Sequence, residues 1–255
     1  MRILIVSQYF YPENFKINDI AFFLKSKEFD VTVLTSKPNY PEGKFFKGYN
    51  FFNKNTEIIN GVKIIRVPTI PRLNGGALGM ILNYLSFLFF GFFVFLFKIK
   101  NKYDLVFALN VIEHIENDKL SISNLNKLLK PGGFIYILVP AHQKLYTRFD
   151  REIGHFRRYN INFFKKNKPE NARIQKLVYL DLAGYFLYFF NKFFFKKEIY
   201  PSLTKIILWD KIFVPITIIL DFIFFYKHGK NILCIYKNKF RLNRLTLCYP
   251  FCWCV

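Results

Sequence analysis

Short apolar runs separated by polar segments dominate the start of the chain and predict buried strands. Arg2–Ser7 is apolar between polar neighbours, and Asp30–Ser36 and Val62–Pro68 are rich in β-branched residues. Such runs are typical of strands that are buried on both faces of a parallel sheet. Between the first two strands, Asn18-Asp19 predicts the N-cap of a helix that extends to about Lys27.

The same alternation continues further along the chain, with a helical pattern between two strands. Tyr103–Asn110 predicts a fourth strand, and Asp118–Leu129 carries apolar residues at helical spacing. Pro131-Gly132-Gly133 is expected to end that helix, and Phe134–Pro140 predicts a fifth strand. Two final strands are predicted at Leu177–Leu180 and Ile232–Tyr236. The pattern predicts an α/β fold: a Rossmann-like, doubly wound, mostly parallel sheet in the strand order 3-2-1-4-5, with the two later strands beyond.

Two longer apolar stretches predict helices that associate with a membrane. Leu78–Phe97 has no charged side chain and is long enough to span a bilayer. A spanning helix at 78–97 is therefore one interpretation. The alternative, a helix packed on the sheet or lying in the membrane surface, is favoured because a spanning segment would keep the strands on either side from sharing one sheet. Ile212–Tyr226 contains Pro215 and Asp221 and predicts an interfacial or packed helix.

The charge balance indicates a polyanionic partner. Lys and Arg number 38 against 17 Asp and Glu, a formal net charge of +21. Lysines that adjoin Phe-rich stretches, as in Phe193–Lys197, favour an anionic membrane lipid surface over nucleic acid. No nucleic-acid-binding motif is present, so we expect no nucleic acid partner. Compositional bias is the alternative explanation.

The first apolar run is too short for a signal peptide, which predicts a cytoplasmic protein, peripheral at the inner membrane.

The cysteines do not predict a metal site. Three of the four, Cys248, Cys252 and Cys254, crowd into the last eight residues, without the spacing of a zinc finger or ribbon. We expect free thiols in a reducing compartment and no bound metal. Residues 240–255 are predicted to form a separate tail.

Residues 1–105 carry several motifs in order: VSQYFYPENFKINDIAFFLKSKEFDVTVLTSKPNYPEGKFFKGY, then GVKIIRVPTIPRLNGG and LNYLSFLF. This part resembles family-4 glycosyltransferases of bacterial surface polysaccharide synthesis. The resemblance implies the acceptor-binding half of a GT-B enzyme and places Tyr11, Glu13, Asn39 and Tyr40 in loops that face the cleft. Turn chemistry is the alternative role for these loops. The nucleotide-sugar domain of that family has no counterpart here.

The family changes near Tyr103. The segments YDLVFALNVIEHIEND and LNKLLKPGGFIYILVPAHQKLYTRFDREIGHFRRY are similar to class I S-adenosylmethionine (SAM) methyltransferases, over about residues 103–239. The resemblance implies that SAM lies across the carboxyl ends of strands one and four, with Leu109, Asn110 and Val111 beside its methionine end. The LYTRFDREIGHFRRY run is similar to a subgroup linked to glycan or lipid pathways, which implies a glycan or lipid-linked acceptor.

Ionisable residues in the same region are candidates for catalysis and substrate binding. The candidate acids and bases are His114, Glu113, His155 and Asp150. Arg157 and Arg158, with Arg148 and Arg151, have the donor geometry to bind phosphate or carboxylate, and Tyr146 and Tyr159 have rings that stack. Local helix capping and a solvated basic face are the alternatives.

The two resemblances leave three functions open. The glycine-rich loop and the acid that ends strand two in SAM methyltransferases are missing, since Ser7–Pro12 and Thr35-Ser36-Lys37 occupy those places. The first interpretation is a SAM-dependent methyltransferase-like protein of envelope glycan or lipid biosynthesis, a transferase if active. The second is a glycosyltransferase-like protein, and the third is a non-catalytic, membrane-adherent fusion. The predicted domains are 1–102, 103–239 and the tail.

Overall fold

One eight-stranded sheet organises the chain. The computed structural model describes residues 1–73, 77–99, 102–194 and 209–239. The strands are β1 Arg2–Val6, β2 Asp30–Ser36, β3 Thr56–Ile59, β4 Val62–Val67, β5 Tyr103–Leu109, β6 Leu129–Pro140, β7 Ala172–Leu180 and β8 Asn231–Asn238. Their order is β3-β4-β2-β1-β5-β6-β8-β7. Strands β4, β2, β1, β5 and β6 are mutually parallel, and β3, β8 and β7 pair antiparallel to their neighbours. The predicted order 3-2-1-4-5 is confirmed.

Helices cover the sheet on both faces. They are α1 Lys16–Ser26, α2 Ala77–Lys98, α3 Asp118–Lys127, α4 Arg148–Glu152, α5 Ile161–Lys166, α6 Leu182–Phe194 and α7 Val214–Ile223. One core forms where α1 packs on β1, β2 and β4, around the fully buried Ile3 and Ile5. The larger core lies on the opposite face, where Phe87 of α2 and Ile122 of α3 pack on the sheet. The α/β, Rossmann-like fold class is confirmed.

The two parts of the chain that carry different resemblances share this sheet. Ile3 to Val6 of β1 pair with Leu105 to Ala108 of β5, in parallel register. The backbone N–H of Arg2 also donates to the Asp104 carboxylate at 2.7 Å. The central strand pair is therefore built from both sides of the predicted join.

Two local predictions are wrong for reasons that the backbone explains. Helix α3 ends at Lys127, before the predicted stop at Pro131-Gly132-Gly133. Those three residues lie inside β6. A Cβ on Gly133 would lie 3.0–3.1 Å from three carbonyl oxygens, two of them in β5, so the close approach of the strands favours glycine there. Asn18 is not the N-cap of α1, which begins at Lys16. Instead, its side chain binds the Tyr11 N–H and the Glu13 carbonyl.

Other predictions need smaller changes. The edge strand β3 was not predicted, and β7 begins at Ala172, five residues before its predicted start. The predicted helix at residues 78–97 corresponds to α2, and α7 falls within the second apolar stretch. In the described ranges we find no helix that combines the length and hydropathy of a membrane span. The tail from residue 240 with its three cysteines, and Phe195 to Lys197, lie outside the described residues.

Candidate functional site

The chain turns sharply where β5 reaches the carboxyl edge of the parallel sheet. Asn110 follows β5 with a left-handed φ of 52° and is exposed, and its N–H donates to the Leu138 carbonyl of β6 at 2.9 Å. A single 3-10 turn, Ile112–His114, then directs Glu113 and His114 into the interior. Two ionisable residues are therefore buried beside the end of a central strand, where ligands bind in open α/β sheets.

Glu113 is a buried carboxyl group without hydrogen bonds. Its side chain is fully buried, and neither oxygen has a hydrogen-bond partner among the described residues. Burial, only partly offset by the nearby backbone N–H of Glu113 itself and by the charge of Arg158, raises the pKa of Glu113 to about 8. At neutral pH the group is therefore mostly a neutral acid. An unpaired polar group at such a position is costly for folding, which indicates a role beyond packing.

His114 is fixed by one hydrogen bond and one stacked ring. Its Nδ1 lies 3.2 Å from the Gly154 carbonyl, and its ring stacks on Tyr84 of α2, with 4.2 Å between centroids. Burial lowers the pKa of His114 to about 3, so the ring is neutral. Because a carbonyl only accepts hydrogen bonds, Nδ1 carries the proton and the lone pair of Nε2 remains available. Gly154 has a φ of 82°, and a Cβ there would lie 3.0 Å from the Tyr84 ring.

Asp150 is an ionised carboxylate that accepts several hydrogen bonds inside the same cluster. The Arg158 guanidinium donates to both carboxylate oxygens, at 2.9 and 3.1 Å, and the backbone of Thr147 and the hydroxyl of Tyr188 add bonds. Burial by itself would raise the pKa of Asp150. The hydrogen bond from His155 and the charge of Arg158 outweigh burial and hold this pKa well below its usual range.

His155 joins Asp150 to Glu113. Its Nδ1 lies 2.9 Å from Asp150 Oδ1, and its Nε2 lies 3.8 Å from Glu113 Oε1. The Asp150 carboxylate accepts a hydrogen bond from Nδ1–H and so favours the tautomer whose lone pair lies on Nε2. The structure thus brings all four predicted catalytic residues together. Two imidazoles, each oriented through Nδ1, are placed next to a buried carboxyl group.

The predicted substrate-binding residues after β6 support this cluster from outside. Tyr146 donates its hydroxyl to the His155 carbonyl at 2.6 Å. Arg157 binds Asp118 at 3.1 Å, and the buried Tyr159 donates to the same carboxylate at 3.0 Å. Arg158 is committed to Asp150, as described above. These side chains hold the loop in place, and Arg157 also lines a surface depression with Glu116 to Lys119.

The predicted acceptor-binding residues of the N-terminal part connect two loops. Glu13 is buried and accepts backbone N–H groups from Asn39 at 2.8 Å and Tyr40 at 2.7 Å. Burial raises the pKa of Glu13 to about 7. The Asn39 side chain accepts the N–H of Arg72, and the half-buried Tyr40 ring lies near Tyr9. Tyr11 is exposed and uses its carbonyl to accept a bond from Arg66.

Tyr84 is a functional candidate that the sequence did not reveal. It lies in the middle of the apolar stretch that forms α2, where nothing in the local pattern separates it from a core aromatic. Its contact with His114 becomes visible only when α2 packs across the carboxyl edge. Gln8, after β1, donates to Asn83 of α2 at 2.8 Å and fixes the helix there.

The residues at the carboxyl edge agree only in part with the predicted SAM site. Of the three residues predicted to lie beside the methionine end of SAM, Asn110 is exposed and Leu109 is half-buried at the end of β5, whereas Val111 is buried. At the end of β2, Lys37 occupies the place of a ribose-binding acid, and its Nζ binds Asn55 at 2.9 Å and the Asn53 carbonyl. The loop after β1 has no glycine, and its Gln8 carbonyl is taken by Ser36 and Thr35. The nucleoside half therefore lacks the groups usual in dinucleotide-type sites.

Comparison with known proteins agrees with the second resemblance over a short segment. Residues 97–137, which include β5, α3 and most of β6, match the family model described as a methyltransferase domain. No curated protein matches the chain. The family model does not extend to residues 1–96, so the N-terminal resemblance stays a prediction.

Several solved methyltransferases resemble the whole chain weakly. A SAM-dependent methyltransferase from Archaeoglobus fulgidus is 13% identical, with a TM-score of 0.38, over 93% of this chain and 86% of that one. A putative methyltransferase from Bacillus halodurans is 10% identical, with a TM-score of 0.41, over 94% and 93%. The plantazolicin methyltransferase BamL, solved with SAH, is 10% identical, with a TM-score of 0.42, over 93% and 76%. The fold itself is established by the strand order given above.

Proposed function

We propose that this chain is a SAM-dependent methyltransferase-like protein that acts on a hydroxyl group of an envelope glycan or a lipid-linked acceptor. One observation carries the proposal. The segment that matches a methyltransferase domain contains β5, and the turn directly after β5 carries Glu113 and His114. These two residues form a buried cluster with His155 and Asp150. The resemblance of the LYTRFDREIGHFRRY run supports the choice of acceptor class.

The residues of the cluster suit removal of a proton from an acceptor hydroxyl. SAM, when bound, supplies a methyl group on a sulfonium sulfur. Direct displacement on carbon requires mainly alignment, and the fixed turn after β5 provides a rigid edge for it. Asp150 orients His155 through Nδ1, so that its Nε2 is the group suited to accept a hydroxyl proton, whereas His114, with its lowered pKa, is a weaker base that the Gly154 carbonyl holds in place. Arg158 keeps Asp150 ionised and thereby preserves that orientation.

Methyl transfer from labelled SAM to a lipid-linked glycan with free hydroxyls tests the proposal. We expect incorporation by the full chain and a loss of about 10²- to 10⁴-fold for His155→Gln, the usual contribution of a proton-transfer group. The matched control is His228→Gln, because His228 is exposed and lies outside the cluster. Equal activity of the two variants would contradict the assignment of the cluster.

Membrane attachment is the second part of the proposal. Along α2, Leu85, Phe89 and Phe92 are 50–60% exposed, and on and just after α7 Phe222 and Phe225 are 71% and 77% exposed. Large apolar side chains at helical spacing favour insertion into the interface of a bilayer, and the net charge of +21 favours anionic lipid. The chain should float with vesicles that contain anionic lipid. The Phe89→Ser, Phe92→Ser double variant should float markedly less, whereas Phe52→Ser, an exposed loop residue, should not differ from the parent.

A further inference from the structure

We infer that Glu113, His114 and His155 form a site for a divalent transition metal ion. One ligand atom from each of the three lies within 4.8 Å of the others. This inference goes beyond methyl transfer, and its test needs neither SAM nor an acceptor.

The three side chains are prepared as ligands. Metal-bound histidines usually donate their other ring N–H to a carboxylate or a backbone carbonyl, which fixes the ring and its tautomer. His155 does so to Asp150 at 2.9 Å, and His114 does so to the Gly154 carbonyl at 3.2 Å. Both rings therefore have a free lone pair on Nε2. Arg158 and Tyr188 in turn bind Asp150, so the supporting group is itself held in place.

Glu113 supplies an independent observation that points to a ligand. Its carboxyl group is fully buried, yet neither oxygen has a hydrogen-bond partner in the described part of the chain. Buried carboxyl groups are normally paired or coordinate a metal. One of the candidate ligand atoms, His155 Nε2, is 3.8 Å from Glu113 Oε1, close to the roughly 3.3 Å that separates two ligands bonded to zinc at about 2.0 Å. A small closure of the side chains would complete the site.

The ligand set indicates the class of metal and its use. Two imidazoles and one carboxylate suit zinc or iron(II) and leave a coordination position open, as in catalytic sites with three protein ligands. A hydroxyl oxygen that takes the open position would have a lowered pKa and lose its proton to solvent. A bound ion would thus promote the deprotonation of the acceptor hydroxyl that is assigned above to His155. The two imidazoles would then act as metal ligands.

Zn²⁺ binding to the full chain after chelator treatment tests the inference. Because Cys248, Cys252 and Cys254 can also bind zinc, the measurement is made on a full-length chain with these three changed to Ser. We expect one tightly bound equivalent. Glu113→Gln should weaken it by about tenfold or more, and His228→Asn should leave it unchanged. No tight equivalent, or equal affinities for the two variants, would overturn the inference.

A second measurement does not depend on how the variants fold. The chain has four histidines, and only His114 and His155 belong to the cluster. In ¹⁵N spectra of the imidazoles, Zn²⁺ should shift the signals of these two and leave His142 and His228 in place. Shifts confined to His142 or His228, or no shift with zinc in excess, would mean that the cluster binds no metal. Either zinc result can occur with or without methyl transfer, so the two proposals fail separately.

Discussion

Glu13 should make the protein less stable as the pH rises through the neutral range. Its carboxyl group is 2% exposed, and burial raises its pKa from 4.5 to about 7, against the opposing effect of three backbone N–H donors. A carboxyl group with a raised pKa binds its proton more tightly in the folded state than in the unfolded state. The free energy of unfolding therefore falls as the pH rises from about 4.5 to about 7 and is flat above that range.

The magnitude follows from the shift in pKa. A difference of one in pKa is worth about 1.4 kcal/mol, so the full effect is about 3.5 kcal/mol, of which about 2.5 kcal/mol falls between pH 5 and pH 8. Glu13→Gln keeps the shape of the side chain and removes the titration. Subtracting the variant from the parent cancels the contribution of every other titrating group, including Glu113.

Urea unfolding followed by circular dichroism, at pH 5, 6, 7 and 8, gives the required free energies for both chains. We expect the parent to lose about 2 to 3 kcal/mol more stability than Glu13→Gln across this range. A difference that stays constant with pH would show that Glu13 does not titrate differently on folding. If the free energy of unfolding of the parent instead increased relative to that of Glu13→Gln as the pH rises, the N–H donors from Phe10, Asn39 and Tyr40 would outweigh burial.

Two further predictions concern the candidate site. Gly154→Ala should destabilise the fold by about 1 to 3 kcal/mol in thermal unfolding, because the positive φ and the Tyr84 ring both oppose a Cβ. Gly91→Ala is the control: it lies in α2 with room for a Cβ and should stabilise by up to about 1 kcal/mol, so equal effects would refute the reasoning. Arg158→Ala should cost about 3 to 5 kcal/mol, because it leaves Asp150 buried without its cation. Arg148→Ala breaks an exposed pair with Glu152 and should cost about 0.5 kcal/mol or less, and a similar cost for both would contradict the burial argument.

The sheet was predictable because most of its strands coincide with short apolar runs that are visible in the local sequence. Asp30–Ser36 has the same bounds in sequence and structure, and the short apolar runs at Arg2 and Tyr103 are both central strands. The β6 start was mispredicted because Pro131-Gly132-Gly133 has the chemistry of a turn, whereas the close approach to β5 that needs glycine is a tertiary feature. Edge strand β3 is short and carries little pattern of its own.

The candidate site was predictable in its residues and not in its geometry. The motifs named Glu113, His114, Asp150 and His155, but nothing in the spacing shows that a turn and a short helix bring their side chains within contact. The hydrogen-bonding roles of Asp150 and Gly154 depend on that packing. Tyr84 was missed because α2 was interpreted by its hydropathy alone. The membrane role of α2 remains a prediction, while the stacking of Tyr84 on His114 connects the helix to the site.

SAM binding to the purified full chain, measured by isothermal titration calorimetry, tests the central claim most directly. The account predicts a dissociation constant in the micromolar range, lost when Asn110 and His114 are both changed to Ala and kept when the exposed His228 is changed. That result would mean that the strands of the N-terminal part complete a working pocket. No heat up to millimolar SAM, from protein shown to be folded, would contradict the account and mean that the missing glycine loop and Lys37 at the end of β2 prevent cofactor binding.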